Sequence, residues 1–175
     1  MSSVIAYGSL MSIEVLARQG LLTANLRPAT VLGFQRSFSQ EPSWRQGTGN
    51  KRGVLTVTRT AQAFINAILV SDIPASAYAA IDERERGYDR ILVAKDRILS
   101  FSDGQVITTQ SDIYIYVGKP HRINTKLEPN TEYLKLCMNA ACEWGEAFYD
   151  TFRKTSFILG TPLSEYPAVI DPKRA

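Results

Sequence analysis

Apolar and polar positions divide the chain into a strand-rich body and a helical end. Val4-Ile-Ala-Tyr7 is a short run without a charge that reads as a buried strand, and it passes directly into Gly8-Ser9, a tight turn. Ser12–Gln19 has the spacing of a short helix, with Ser12 at the N-cap position and Gly20 as its stop. Arg27–Ser39 reads as a strand broken at Gly33. Val54–Arg59 and Phe64–Val70 read as two strands joined by Thr60–Ala63 in a hairpin, the second apolar nearly throughout and therefore expected to be buried on both faces. Pro74 to about Arg86 is an alanine-rich helix with proline in its first turn. Arg90–Phe101 and Gln105–Val117 form two longer strands about Asp103-Gly104, and in the second Ile113, Ile115 and Val117 alternate with Tyr114 and Tyr116 on the other face.

From Asn130 the period changes. Tyr133, Leu136, Cys137, Ala140, Ala141, Trp144 and Phe148 recur at three- and four-residue spacing, with Asn130 or Thr131 as the cap. Gly145 is placed to bend or end this helix, and Ala147–Arg153 to continue it as a second piece. The stretch 160–175, with Pro162, Pro167 and Pro172, is expected to be an extended, lightly ordered tail of a single domain spanning 1–175. Strands in the middle, one helix between them and helix at the end predict an α+β fold, a curved or closed mixed sheet covered by helices, and not a doubly wound sheet.

Composition narrows the chemistry. A chain of 175 residues, 45% hydrophobic, is long enough to bury a core, and 20 Lys+Arg against 17 Asp+Glu is too even a balance for a nucleic-acid-binding stripe. The first residues lack a basic leader and no apolar run has the length of a membrane span, so a soluble cytoplasmic protein without a membrane partner is expected. Cys137 and Cys142, five apart in a helix, point away from each other and read as reduced thiols. With His121 as the only histidine and no zinc spacing, phosphate loop or dinucleotide fingerprint, neither metal nor cofactor is expected. The chemistry then falls to carboxylates, tyrosines, backbone donors and one arginine.

Two stretches can carry it. The Gly8-Ser9 turn is either a plain strand-to-loop connection or a set of N–H groups aimed at a carboxylate or oxyanion. In Asp82-Glu-Arg-Glu-Arg-Gly-Tyr88, a helix that buries Ala77, Tyr78 and Ile81 places Glu85 roughly 40° from Ile81 and Glu83 on nearly the opposite side. Glu85 is then aimed inward, where burial raises a carboxyl pKa and suits it to proton exchange, and Tyr88 can lend a hydroxyl to the same pocket. The alternative is a solvated helix end, with Glu83 facing Arg86 and Glu85 facing an arginine.

Val4-Ile-Ala-Tyr-Gly-Ser-Leu10, Gly33-Phe-Gln-Arg-Ser-Phe38, Asp82-Glu-Arg-Glu-Arg-Gly-Tyr88 and the helix Tyr133–Gly145 occur in an order and at a spacing that resemble the gamma-glutamylcyclotransferase-like superfamily. The resemblance implies a small mixed β-barrel flanked by helices, and an enzyme that converts a gamma-glutamyl amide or amino acid to 5-oxoproline with release of the amine. By position it implies Glu85 as the acid/base and Tyr7, Gly8, Ser9 and Leu10 as the substrate-binding loop; Tyr88 and Tyr133 are then expected to line the pocket, and Arg45, shifted from the arginine of the glutathione-specific branch, reads either as a partner for a substrate carboxylate or as a solvated loop arginine. Two departures stand out. Ser43-Trp-Arg-Gln-Gly47 lacks the histidine of the glutathione-specific branch, and Leu10 stands where many members carry asparagine. An amide hydrolase or acyltransferase on the same scaffold, and a non-catalytic module that binds a small metabolite, are the alternatives, and Gln40–Arg52 is a candidate flap.

Overall fold

The computed structural model describes residues 2–21, 25–43 and 49–166. Its centre is strand β1 (Ser2–Ala6), whose Val4, Ile5 and Ala6 are almost wholly buried. β1 pairs antiparallel with β3 (Lys51–Ile73), Ala6 opposite Ile68, and parallel with β6 (Asp112–Gly118), Ile5 opposite Ile115. With β2 (Asn25–Gln40), β4 (Tyr88–Val93), β8 (Ser156–Ile158) and β9 (Thr161–Pro162) the sheet runs β4-β6-β1-β3-β2-β8-β9. β5 (Ile98–Ser100) pairs with β2, Ala29 opposite Ser100, on the edge that β8 uses further along, and β7 (Glu128–Pro129) pairs with β3. The α+β class holds, but the expected barrel is an open sheet. It is curled, and the chain itself carries β4 round to β5 through Ala94–Arg97 without pairing those two strands.

Two expectations about strands change. Val54–Arg59 and Phe64–Val70 are halves of one strand, because both pair with β2: Leu32 lies opposite Phe64 and Phe34 opposite Arg59, leaving residues 60–63 bulged against Gly33. Thr60-Ala-Gln-Ala63 offers no Gly, Pro, Asn or Asp to reverse the chain, whereas Gly33 takes φ +84° and lets β2 bend. Of the run Phe64–Val70 expected to be buried on both faces, Ile65–Val70 are, whereas Phe64, next to the bulge, is 46% exposed. The second change is to the pair about Asp103-Gly104. Its tip is a hairpin, with Ile107 donating to the Ile98 carbonyl and Gly104 at φ +71°, but the ladder to β6 is made by β4. Polar Lys95-Asp-Arg97 forms a 3-10 turn between them, and beyond it Ile98 is buried against β2.

The helices close the open side. α1 (Ile13–Arg18) ends at Gly20, and α2 (Ala75–Arg84) begins after Pro74. α3 (Thr131–Cys142) is capped by Asn130, whose side chain accepts from the Tyr133 N–H at 3.0 Å. Gly145, at φ +98°, separates it from α4 (Glu146–Thr155), which buries Phe148, Tyr149 and Phe152. Cys137 and Cys142 form no disulfide. Within 160–175, described as far as Tyr166, the chain forms β9 and buries Leu163.

One polar group sits at the heart of this packing. Arg36 is fully buried on β2 and donates to Ser156 Oγ at 2.8 Å, to the carbonyls of Tyr7 at 3.0 Å and Asn66 at 2.8 Å, to Asn66 Oδ1 at 2.8 Å and to Thr155 Oγ1 at 3.0 Å. Its guanidinium lies 4.2 Å from the centre of the Phe152 ring. Burial lowers its pKa to about 9, so it stays charged at neutral pH. Replacing Arg36 by Met keeps the bulk and strands these acceptors. We expect a loss of about 3–5 kcal/mol in urea denaturation, and a loss under about 1 kcal/mol contradicts this account.

Candidate active site

β1 ends at Ala6, and the chain turns through Tyr7 and Gly8 into a single 3-10 turn, Ser9–Met11. Met11 donates to the Gly8 carbonyl and Ser12 to that of Ser9, so this turn uses the N–H groups of residues 11 and 12 and leaves those of Ser9 and Leu10 outside it. Gly8 is there for proximity. A β-carbon on it would lie 2.9 Å from Tyr133 Oη and 3.4 Å from Leu55 Cδ1, so the turn lies directly against α3 and β3.

Glu85 arrives from the opposite side. It is the C-cap of α2, with φ −93° and ψ 23°, and its N–H closes the helix on the Ile81 carbonyl. Its side chain is 20% exposed, whereas Glu83 is 77% exposed and pairs with Arg86 on the surface. The rotation that aims Glu85 inward also brings Arg84 round, roughly 60° from Ile81 on the other side. Arg84 Nε lies 3.1 Å from Glu85 Oε1, and its Nη2 donates to Ser9 Oγ at 3.0 Å.

These groups meet in one cleft made of two adjoining pockets. Ser9, Glu85, Tyr88 and Tyr133 line both. The inner pocket is completed by Tyr7, Gly8, Leu10, Leu55 and Tyr116, the outer by Pro42, Ser43, Val54 and Arg84. Tyr7 donates to the Tyr116 carbonyl at 2.6 Å and Tyr88 to the Leu55 carbonyl at 2.7 Å. Their hydroxyl protons are therefore committed to the frame, and the oxygens can only accept. Burial, reinforced by neighbouring Tyr88 and Glu85, pushes Tyr7 well above the usual tyrosine range, and burial does the same to Tyr133. The walls are thus neutral phenols around one carboxylate.

Tyr7, Gly8, Ser9, Leu10, Glu85, Tyr88 and Tyr133 all border this cleft. Arg45, with the rest of 44–48 and so the middle of the candidate flap Gln40–Arg52, lies outside the described residues. Arg84, Ser43 and Leu55 were not singled out by sequence. Arg84 was accessible to the same helical rotation that found Glu85, whereas Ser43 and Leu55 depend on loop and sheet geometry. Among the described residues no cluster of three His, Cys, Asp or Glu is arranged to hold a metal, and no helix is long and apolar enough to cross a membrane. A carboxylate in a phenol-lined cleft that the Gly8-Ser9-Leu10 turn also borders is placed to exchange a proton with a molecule held there.

No protein-family model and no curated protein matches the chain. Solved structures do. One described as a gamma-glutamyl cyclotransferase aligns over 98% of this chain and 94% of its own, at 15% identity and a TM-score of 0.62. A gamma-glutamyl cyclotransferase specific to glutathione from yeast aligns over 89% and 96%, at 15% identity and 0.62. An uncharacterised protein from Homo sapiens aligns over 98% and 94%, at 17% identity and 0.60. The chain has the gamma-glutamylcyclotransferase-like fold.

The Gly8 contact gives a direct test of the cleft's closure. Gly8→Ala is expected to cost about 1–3 kcal/mol in chemical denaturation, and Tyr133→Phe, which removes the clashing hydroxyl, to return part of it. Equal penalties for Gly8→Ala in both backgrounds contradict the contact.

Proposed function

We propose that this protein is a cyclotransferase that converts a gamma-glutamyl amide or gamma-glutamyl amino acid to 5-oxoproline and releases the amine. The observation that supports it is the shared cleft: Glu85 on one wall, the Gly8-Ser9-Leu10 turn on another. The fold of structures described as gamma-glutamyl cyclotransferases supports the same reading.

The nucleophile in this reaction is the substrate's own α-amine, tethered to the carbonyl it attacks. The protein has to fold the substrate into the reactive conformer and move protons, and proximity supplies much of the rate. Glu85 takes a proton from the α-ammonium, the amine nitrogen bonds to the side-chain carbonyl carbon, and the tetrahedral oxyanion collapses with cleavage of the original amide bond. The proton held by Glu85 goes to the departing nitrogen, and the ring nitrogen gives up its second proton, which the released amine takes up, so a neutral lactam is left, no water is consumed and the carboxylate is regenerated. The N–H groups of Ser9 and Leu10 are the donors for the oxyanion or the substrate carboxylate, fixed before substrate arrives. Tyr7, Tyr88 and Tyr133 exclude water and offer hydroxyl oxygens as acceptors for the ammonium.

Glu85→Gln keeps the shape and removes the base. We expect 5-oxoproline formation from gamma-glutamyl compounds to fall about 10²–10⁴-fold, with the thermal midpoint nearly unchanged. Undiminished turnover contradicts the assignment, and release of glutamate in place of 5-oxoproline by the wild type replaces cyclisation with hydrolysis.

A further inference from the structure

We propose that Arg84 is the positioning residue for Glu85: its guanidinium, held in place by Ser9, fixes the carboxylate at the cleft wall and keeps it in the anionic form that accepts a proton. The inference rests on the cyclotransferase reading for its meaning in catalysis, but its geometry is independent of it. Neighbouring residues within a helix do not face each other. Arg84 and Glu85 meet because Glu85 is the cap where the helix path ends. Theirs is the least exposed ion pair among the described residues, at 16% and 20%, while the pairs at helical spacing, such as Arg86 with Glu83, lie in solvent. Arg84 is also the one cation among the described residues lining the cleft.

Among the described residues, the other groups near Glu85 are placed for other parts. Tyr7, just beyond β1, and Tyr133 on α3 are held above the usual tyrosine range by burial and stay neutral, and Tyr88 on β4 gives its hydroxyl proton to the Leu55 carbonyl, so these walls stabilise a carboxylate only as weak dipoles. Arg36 lies behind Tyr7 and bonds to its carbonyl. Arg122 stands beside Gly87 and is committed to the carbonyls of Glu41 and Pro42. Arg84 alone bridges the two walls, since Ser9 belongs to the turn and Glu85 to the helix. A fixed cation beside a carboxylate favours the ionised form and limits its rotamers, so the base is ready at neutral pH in one orientation.

The test follows the Glu85 carboxyl carbon by NMR in protein labelled with ¹³C-glutamate, identified by its loss in Glu85→Gln. In Arg84→Gln the carboxyl is expected to titrate about one pH unit higher than in the wild type, and in Arg84→Lys close to the wild type. Arg86→Gln, which removes the neighbouring surface cation, is expected to leave it unmoved. The acid limb of kcat/KM for 5-oxoproline formation from a gamma-glutamyl dipeptide is expected to follow the carboxyl in each variant. Should Arg84→Gln not fold, Ser9→Ala, which frees the guanidinium, is expected to move the same titration upward by a smaller amount. A Glu85 titration that stays in place in Arg84→Gln, or in Ser9→Ala where that is the variant that folds, overturns the proposal, as does Arg84→Lys moving it as far as Arg84→Gln. A wild type that forms no 5-oxoproline overturns the function proposed above, while the carboxyl titration still decides the role of Arg84.

Discussion

A buried positive charge with only neutral partners is the constraint on which this structure depends. Arg36 cannot be left partly solvated or partly paired, because each unmet N–H in the interior costs as much as the bond is worth. Its partners come from the residue before the Gly8-Ser9 turn, from β3, from α4 and from β8. Asn66 extends the network by donating to the Phe148 carbonyl at 2.7 Å. Satisfying one guanidinium therefore sets where β1 ends, how α4 lies across the sheet and where the last strands join it. The carbonyl of Tyr7 is held from the core side, so the turn that follows starts from a fixed base.

The opposite wall is fixed by polar contacts nearer the surface. One helical turn before Glu85, Asp82 accepts from Tyr116 Oη at 2.5 Å and from Arg90 Nη1 at 3.0 Å, which ties the end of α2 to β6 and β4. Two residues after Glu85, the Gly87 carbonyl accepts from Gln40 Nε2 at 2.9 Å. Gly87 packs against the same segment, since a β-carbon there would lie 2.1 Å from Ser43 Oγ and require Ser43 to move. Glu85 thus sits between two pinned points, and the Arg84 bridge to Ser9 joins its wall to the wall that Arg36 holds. Preorganisation of this kind is what a reaction with a tethered nucleophile needs, because most of its barrier lies in arranging groups that are already present.

Much of this was legible in the sequence, and the reasons are physical. The apolar run after Phe64, the cap at Asn130 and the break at Gly145 are local signals whose outcome tertiary packing does not reverse. The rotation argument about Ile81 works because a helix has a rigid period. What failed was pairing. Residues 60–63 look like a gap between two strands, and only the partner strand shows that the chain runs straight on and bulges against Gly33. The excursion of β5 to the edge of β2 is likewise set by where Ile98 finds a core, which no local pattern records. Arg36 lay within a recognised tract but reads there as a strand polar residue. Its burial follows from acceptors delivered by segments 29 to 120 positions away.

The central claim is spatial and chemical at once: one small molecule must touch the turn and the carboxylate together. The most direct measurement is a crystal structure of the protein soaked with 5-oxoproline, the proposed product. The account predicts its carboxylate or lactam oxygen on the N–H groups of Ser9 and Leu10, with the ring nitrogen within hydrogen-bond reach of Glu85. Density for the ligand elsewhere, as in the groove bordered by Ser37, Ser39, Thr58 and Phe157, with the cleft between Ser9 and Glu85 left to solvent, would contradict it.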